Sequence, residues 1–316
     1  MGQLIRVGYL LFSYIRCLAT SLLFISSISA GAAQHTALKA SEKQPISIAP
    51  DYQSFWHASE VNWLELGLVF SGITYLGVKE WDWGSASFKF NNEGWFGMDS
   101  GSGGADKLGH LYSSYVMTEY LAHNMIDKGY SAESSALYSA YAASALMLYV
   151  EVFDGYSADH GFSYEDLIAN TMGVGVSYLK TVYPDTWGDT LDLRIEYKPS
   201  KGMKGFHPVT DYSGMKYMAV AKLNGIDVLK NTPLKYFELQ LGYFTRGFNK
   251  DDRPYTDFRS TETFVGISIN LDELLFNPYR QQLGKVGQYL RTATHYLQVP
   301  GISLRSDMHQ RRQPAR

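Results

Sequence analysis

The sequence predicts an α+β protein: a helical bundle of about four helices, then an antiparallel β-meander, then a C-terminal amphipathic helix. Three observations carry this. Long apolar runs fill residues 59–181 in segments too long for strands. The period then drops to two at Leu191, where Leu-Asp-Leu-Arg-Ile-Glu-Tyr-Lys alternates strictly. Gly, Asn, Asp and Pro cluster between the later alternating runs, as turns of an antiparallel sheet require.

The first helix is expected over 59–80, with thirteen uncharged residues between Glu65 and Lys79. A Gly-rich loop follows, holding Phe88, Phe90, Trp95 and Phe96. Apolar groups of this size gain little on an open surface, so the loop is expected to pack on its own helices, act as a lid or meet lipid headgroups. Helix two is expected from Asp106 to Lys128 and helix three from Ala132 to Phe153, with small residues (Ala136, Ala140, Ala143, Ser144) that permit close packing. Helix four runs over 164–181 and carries Gly173 and Gly175. None of the apolar runs reaches the roughly 20 residues of a membrane span, which favours a buried bundle over a polytopic membrane protein. Strands are expected over 191–198, 216–223, 236–245 and 263–271, and an amphipathic helix after Asn277. Four strands are too few to close an outer-membrane barrel, so the sheet is expected to pack on the helices. The domain plan is then 1–32 export signal or anchor, 33–55 linker, 56–187 bundle, 188–298 sheet plus helix, and 299–316 disordered tail.

Arg6 and Arg16 precede the short apolar run Cys17–Ala30, and Ala30-Gly31-Ala32 is a small-x-small cleavage signal. The run reads as a cleaved export signal, with an uncleaved N-terminal anchor as the alternative. Cys17 is the only cysteine, so a processed chain has no disulfide, thiolate or Cys-based metal chemistry. It also opens the apolar run, whereas a lipidation cysteine would close it. The net charge is −3, and no basic stripe alternates with aromatics, which excludes nucleic acid as the natural partner. The 24 Tyr, 16 Phe and six Trp fit large packing surfaces or a membrane interface.

Polar residues scattered through the apolar helices are the candidate site. From Gly129 to Leu179 there is no Lys or Arg, yet Glu133, Glu151, Asp154, Asp159, Glu165 and Asp166 all fall there. Carboxylates brought together need a proton, a basic group or a metal ion. Lys107 and His110 are the basic candidates. Asp106 and His110 stand four apart on one helix face, a spacing that suits a metal or a carboxylate-oriented imidazole, unless Asp106 is simply an N-cap. Glu151 and Asp154 sit at a helix C-terminus, where the dipole disfavours acids, so a cation or an earlier helix end must account for them. Ser163 and Asp166 form a Ser-x-x-Asp cap, and Asn170, one turn on, needs partners for both ends of its amide. The candidate site is Asp106, His110, Glu151, Asp154, Asp166 and Asn170. The candidate metal ligands are Asp106, His110, Glu151 and Asp154, and a divalent metal ion is the cofactor this donor set suggests.

These motifs, D106-K-L-G-H110-x-x-x-S114-Y115, E151-V-F-D154-G155 and G161-F-S163-x-x-D166-x-x-x-N170-x-x-G173, resemble the YfiM-like predicted periplasmic lipoproteins over residues 60–185. A looser form of the same order is similar to VanZ-like membrane proteins. The resemblance implies an exported envelope protein with a helical core, and no particular reaction. The chain departs from it in lacking a credible lipidation cysteine, and the strands are not covered by the VanZ-like pattern. The expected partner is the envelope membrane or another envelope component, and the expected location is the periplasm or outer membrane. Three functions are compatible: an accessory protein with a polar or ion-binding site; a metal-assisted or acid/base hydrolase of an envelope lipid or glycan, with Asn170 positioning substrate; and an outer-membrane protein with lipid-facing C-terminal strands.

Overall fold

The computed structural model describes residues 62–203, 210–252 and 254–314. The expected export signal or anchor, Cys17 and the expected linker lie outside the described residues. Four helices, α1 (Trp63–Glu80), α2 (Ala105–Asp127), α3 (Ala132–Asp154) and α4 (Tyr164–Val182), precede strands β1 (Leu191–Tyr197), β2 (Met215–Lys222), β3 (Phe237–Arg246) and β4 (Phe258–Ile269). Helix α5 (Lys285–Tyr296) and strand β5 (Ser303–Pro314) follow. The α+β class holds, with a five-stranded antiparallel meander in the order β1-β2-β3-β4-β5.

The helices start where local chemistry provides caps. Ser131 accepts Ser134 N–H at the head of α3, and Ser163 accepts Asp166 N–H at the head of α4. Helix α2 instead begins after Gly104, in the left-handed region at φ 90°, so Asp106 lies in the first turn and is not the N-cap. Gly173 sets the crossing of α4 on α2, because a Cβ there would lie 2.0 Å from Leu111 O. Gly175 meets nothing, so of the two glycines only Gly173 makes the close approach.

Helix α3 corrects one expectation. At 23 residues it is long and apolar enough to cross a membrane by length and composition, because the helix extends beyond the uncharged run at both ends. Its buried face, from Ser135 to Glu151, packs within the bundle. Helix α1 buries only Gly77 and touches α3 through Phe70 and Thr74 on Tyr149.

Residues expected to be a disordered tail form β5, which pairs with β4 from Ser268↔Ser303 to Phe258↔Pro314. Backbone pairing holds this edge strand. Its side chains are mostly exposed, so hydrophobic pattern gave no sign of it.

The sheet is strongly curled. In a flat sheet β1 and β5 would lie about 19 Å apart. Here Arg305 of β5 reaches Glu196 of β1 at 2.7 Å, and Arg194 of β1 reaches Glu238 of β3 at 2.8 Å. The concave face is therefore the charged one, completed by Met218, Val220 and Phe264. The convex face carries the apolar residues. At β1 and β2, Ile195, Met215 and Tyr217 pack on Ala105, Leu108 and Tyr112. Further along, Leu239, Leu241, Val265, Ile267 and Leu304 are exposed. Residues 62–190 hold 5 Lys/Arg against 16 Asp/Glu, whereas residues 191–316 hold 19 against 12, so the helical half is acidic and the sheet half basic.

Candidate functional site

Helix α2 presents Asp106 and His110 from successive turns, α3 contributes Glu151, and α4 contributes Asp166 and Asn170 from one face. The His110 ring is held on both sides. Its Nδ1 lies 3.2 Å from Glu151 Oε1 and 3.2 Å from Asn170 Oδ1. Asn170 Oδ1 also accepts Ser114 O–H at 2.9 Å, and its amide nitrogen donates to Glu151 Oε1 at 3.3 Å. Both ends of the amide are satisfied, as a buried Asn requires. Asn170 Oδ1 can only accept, so Nδ1 carries a hydrogen and Nε2 points the other way. There it sits 3.8 Å from Asp106 Oδ1 and 4.0 Å from Asp166 Oδ1.

Lys107 neutralises part of the acidity. Its ammonium contacts Glu93, Asp106 Oδ2 at 2.9 Å and Asp166 Oδ1 at 2.7 Å. The last contact is off-line, and Asp166 Oδ1 makes no hydrogen bond among the described residues. Tyr212 O–H donates to Asp106 Oδ1. Four carboxyls, Glu93, Asp106, Glu151 and Asp166, thus surround two cationic groups. Burial pushes Glu151 up to about 8, against the pull of His110, and pushes Glu93 up to about 7 with help from Asp106. Burial disfavours the charged form of His110, but Asp166, Asp106 and Glu151 outweigh it and raise the imidazole to about 9. Asp106 is also buried, yet His110 and Lys107 hold it well below the usual carboxylate range. At neutral pH the site therefore holds protons on Glu151 and His110.

Of the six candidate residues, five meet around His110. Asp154 is drawn aside: its Oδ1 accepts Trp83 Nε1–H at 2.6 Å. Burial raises it despite that bond. The expected ligand set of Asp106, His110, Glu151 and Asp154 is not the one the geometry gathers. Among the described residues, the group of His and acidic side chains able to close on one ion is Asp106, His110 and Asp166, with ligand atoms within 4.8 Å of one another. Glu151 lies behind the imidazole.

Sequence reasoning missed Glu93, Trp83 and Tyr212. Glu93 comes from the Gly-rich loop, which packs on the helix ends, as Asn91 N→Phe162 O and Gly94 N→Glu165 Oε1 show. Its signal was weak: one of two acids, with Asp99, in a loop otherwise marked by aromatics.

A second buried cluster joins bundle to sheet. Lys180 reaches Glu119 at 2.8 Å, Asp192 at 2.9 Å and the Tyr115 hydroxyl oxygen at 2.6 Å. Arg194 pairs Asp192 and Glu238, and Lys222 pairs Asp192.

No curated protein and no solved structure matches the chain. Residues 92–182, which hold every member of the His110 cluster contributed by the helices and the preceding loop, match the family described as a predicted periplasmic lipoprotein (DUF2279), a description that supports an exported envelope location.

Proposed function

We propose that this exported envelope protein binds a divalent cation at His110 Nε2, Asp106 and Asp166. The observation that carries the reading is the opposed wiring of the imidazole. Glu151 and Asn170 fix Nδ1, while Nε2 and two carboxylate oxygens converge on one point. A carboxyl group behind a metal-binding histidine orients the ring and, once ionised, raises its basicity. Ligand bonds of about 2.1 Å at tetrahedral or wider angles put donor atoms roughly 3.4–4 Å apart, and the separations from Nε2 are 3.8 and 4.0 Å. The mixed nitrogen and oxygen donors suit a borderline to hard dication with coordination positions left open. Lys107 already contacts both carboxylates, so the ion must displace its ammonium toward Glu93. Cation binding also requires His110 and any protonated carboxyl ligand to give up protons.

The raised Glu151 and Glu93 favour a second reading, acid/base hydrolysis of an envelope lipid or glycan, because carboxyls near neutrality can both donate and accept a proton.

Metal content and metal-dependent melting test the first reading. The mature chain is compared with His110→Ala and Asp154→Asn. One ion per chain, lost in His110→Ala and kept in Asp154→Asn, is expected. A metal-free wild type whose melting is indifferent to added Zn2+ or Mn2+ overturns it and leaves the proton-transfer reading.

A further inference from the structure

A groove of 590 Å³ runs between α2 and the convex face of the sheet, distant in chemistry from the His110 cluster. Leu108, Leu111 and Tyr112 line it from α2, and Leu193, Ala219 and Leu241 from the strands. This is the size of an ordinary small-ligand site. At one end Thr261 and Thr263 of β4 stand opposite Arg311 and His309 of β5, while Arg194, which also borders the groove, has its guanidinium engaged by Asp192 and Glu238. Arg311 donates Nε–H to His309 Nε2 at 3.2 Å, and no carboxylate among the described residues pairs with it.

The geometry points to one acyl chain of an anionic phospholipid in this groove, with the phosphate at Arg311 and His309. Three observations converge. The groove is apolar along its length and cationic at its end. It opens into an exposed apolar band through Leu241, which the register places beside Val265, with Leu239, Ile267 and Leu304 in the neighbouring row. Leu241 is 57% and Leu304 83% exposed, so the band is not core. The sheet half carries the chain's basic excess, the sign that complements an anionic membrane surface. The apolar band then faces the bilayer that supplies the lipid. This inference does not rest on the cation reading.

The test is binding of a monomeric fluorescent phosphatidylglycerol to the mature chain, beside a phosphatidylcholine with the same labelled chain. Saturable binding of one lipid per protein is expected, stronger for phosphatidylglycerol. Leu241→Glu, a change at an exposed position, should weaken both lipids at least about tenfold by placing a charge against the chain. Arg311→Glu should weaken phosphatidylglycerol alone. Leu304→Glu, outside the groove, should change neither. Absence of saturable binding overturns the inference. So does equal affinity for the two lipids, or a loss in Leu304→Glu as large as in Leu241→Glu, which would mean adsorption to the sheet surface.

Discussion

The two buried charge clusters differ in balance. Around Lys180, the carboxylates of Glu119, Asp192 and Glu238 meet the cations of Lys180, Arg194 and Lys222. Burial opposes ionisation there too and keeps Glu238 raised against the pull of Arg194, but Lys180 and its neighbours hold Glu119 and Asp192 well below the usual range. Around His110, four carboxyls share two cationic groups, and two of the four are pushed up. A balanced, sealed cluster is a clamp: it fastens α2 and α4 to β1. An unbalanced cluster beside a partly open edge retains unmet demand for positive charge, which a proton or an ion can supply.

The largest effect should come from breaking the balanced cluster. Lys180→Met removes the ammonium that Glu119 and Asp192 share and leaves Glu119 with His295 alone, and chemical denaturation should show a loss of about 3–5 kcal/mol. A loss below 1 kcal/mol would mean that the clamp is not a unit.

Gly173→Ala should cost about 1–3 kcal/mol, because its Cβ would meet Leu111 O at 2.0 Å and force α2 from α4. The same shift separates His110 from Asn170, so this variant should also weaken cation binding. A structural effect without a binding effect would uncouple the helix crossing from the site.

The clusters also respond oppositely to pH. His110 and Glu151 are raised on folding, so their stabilisation is full below the unfolded values and is lost as pH rises through about 8 to 9. Metal-free protein should lose on the order of 2 kcal/mol between pH 6 and 9, and Glu151→Gln should flatten part of that slope. Glu119 and Asp192 are lowered, so their contribution is present above pH 4.5 and disappears only in acid. Stability that rises from pH 6 to 9 would contradict the protonated assignment. The smallest effect belongs to Trp83→Phe, which removes the donor to Asp154 and should cost about 1 kcal/mol with cation binding unchanged.

The sequence revealed whatever depends on spacing within one helix. Asp106 with His110, Ser163 with Asp166, and Asp166 with Asn170 are all read from the 3.6-residue period, and each pair falls where that period puts it. The motif resemblance and the family match coincide over 92–182, while the VanZ-like likeness rests on motif order alone. Partners that arrive from loops were illegible, because no period relates Glu93 to Lys107 or Trp83 to Asp154. The alternation of β1 was legible, but not which face turns inward. Asp192 and Arg194 are buried only because Lys180, Glu238 and Lys222 come from elsewhere to meet them. Strand β5 was missed because backbone bonds, not side-chain burial, hold an edge strand.

The most direct test is calorimetric titration of the metal-stripped chain with Zn2+ and Mn2+ in two buffers of different ionisation enthalpy, beside Asp166→Asn and Asp154→Asn. The account predicts one equivalent bound with release of protons, abolished in Asp166→Asn and preserved in Asp154→Asn. Binding that survives Asp166→Asn, or that releases no protons, would contradict it.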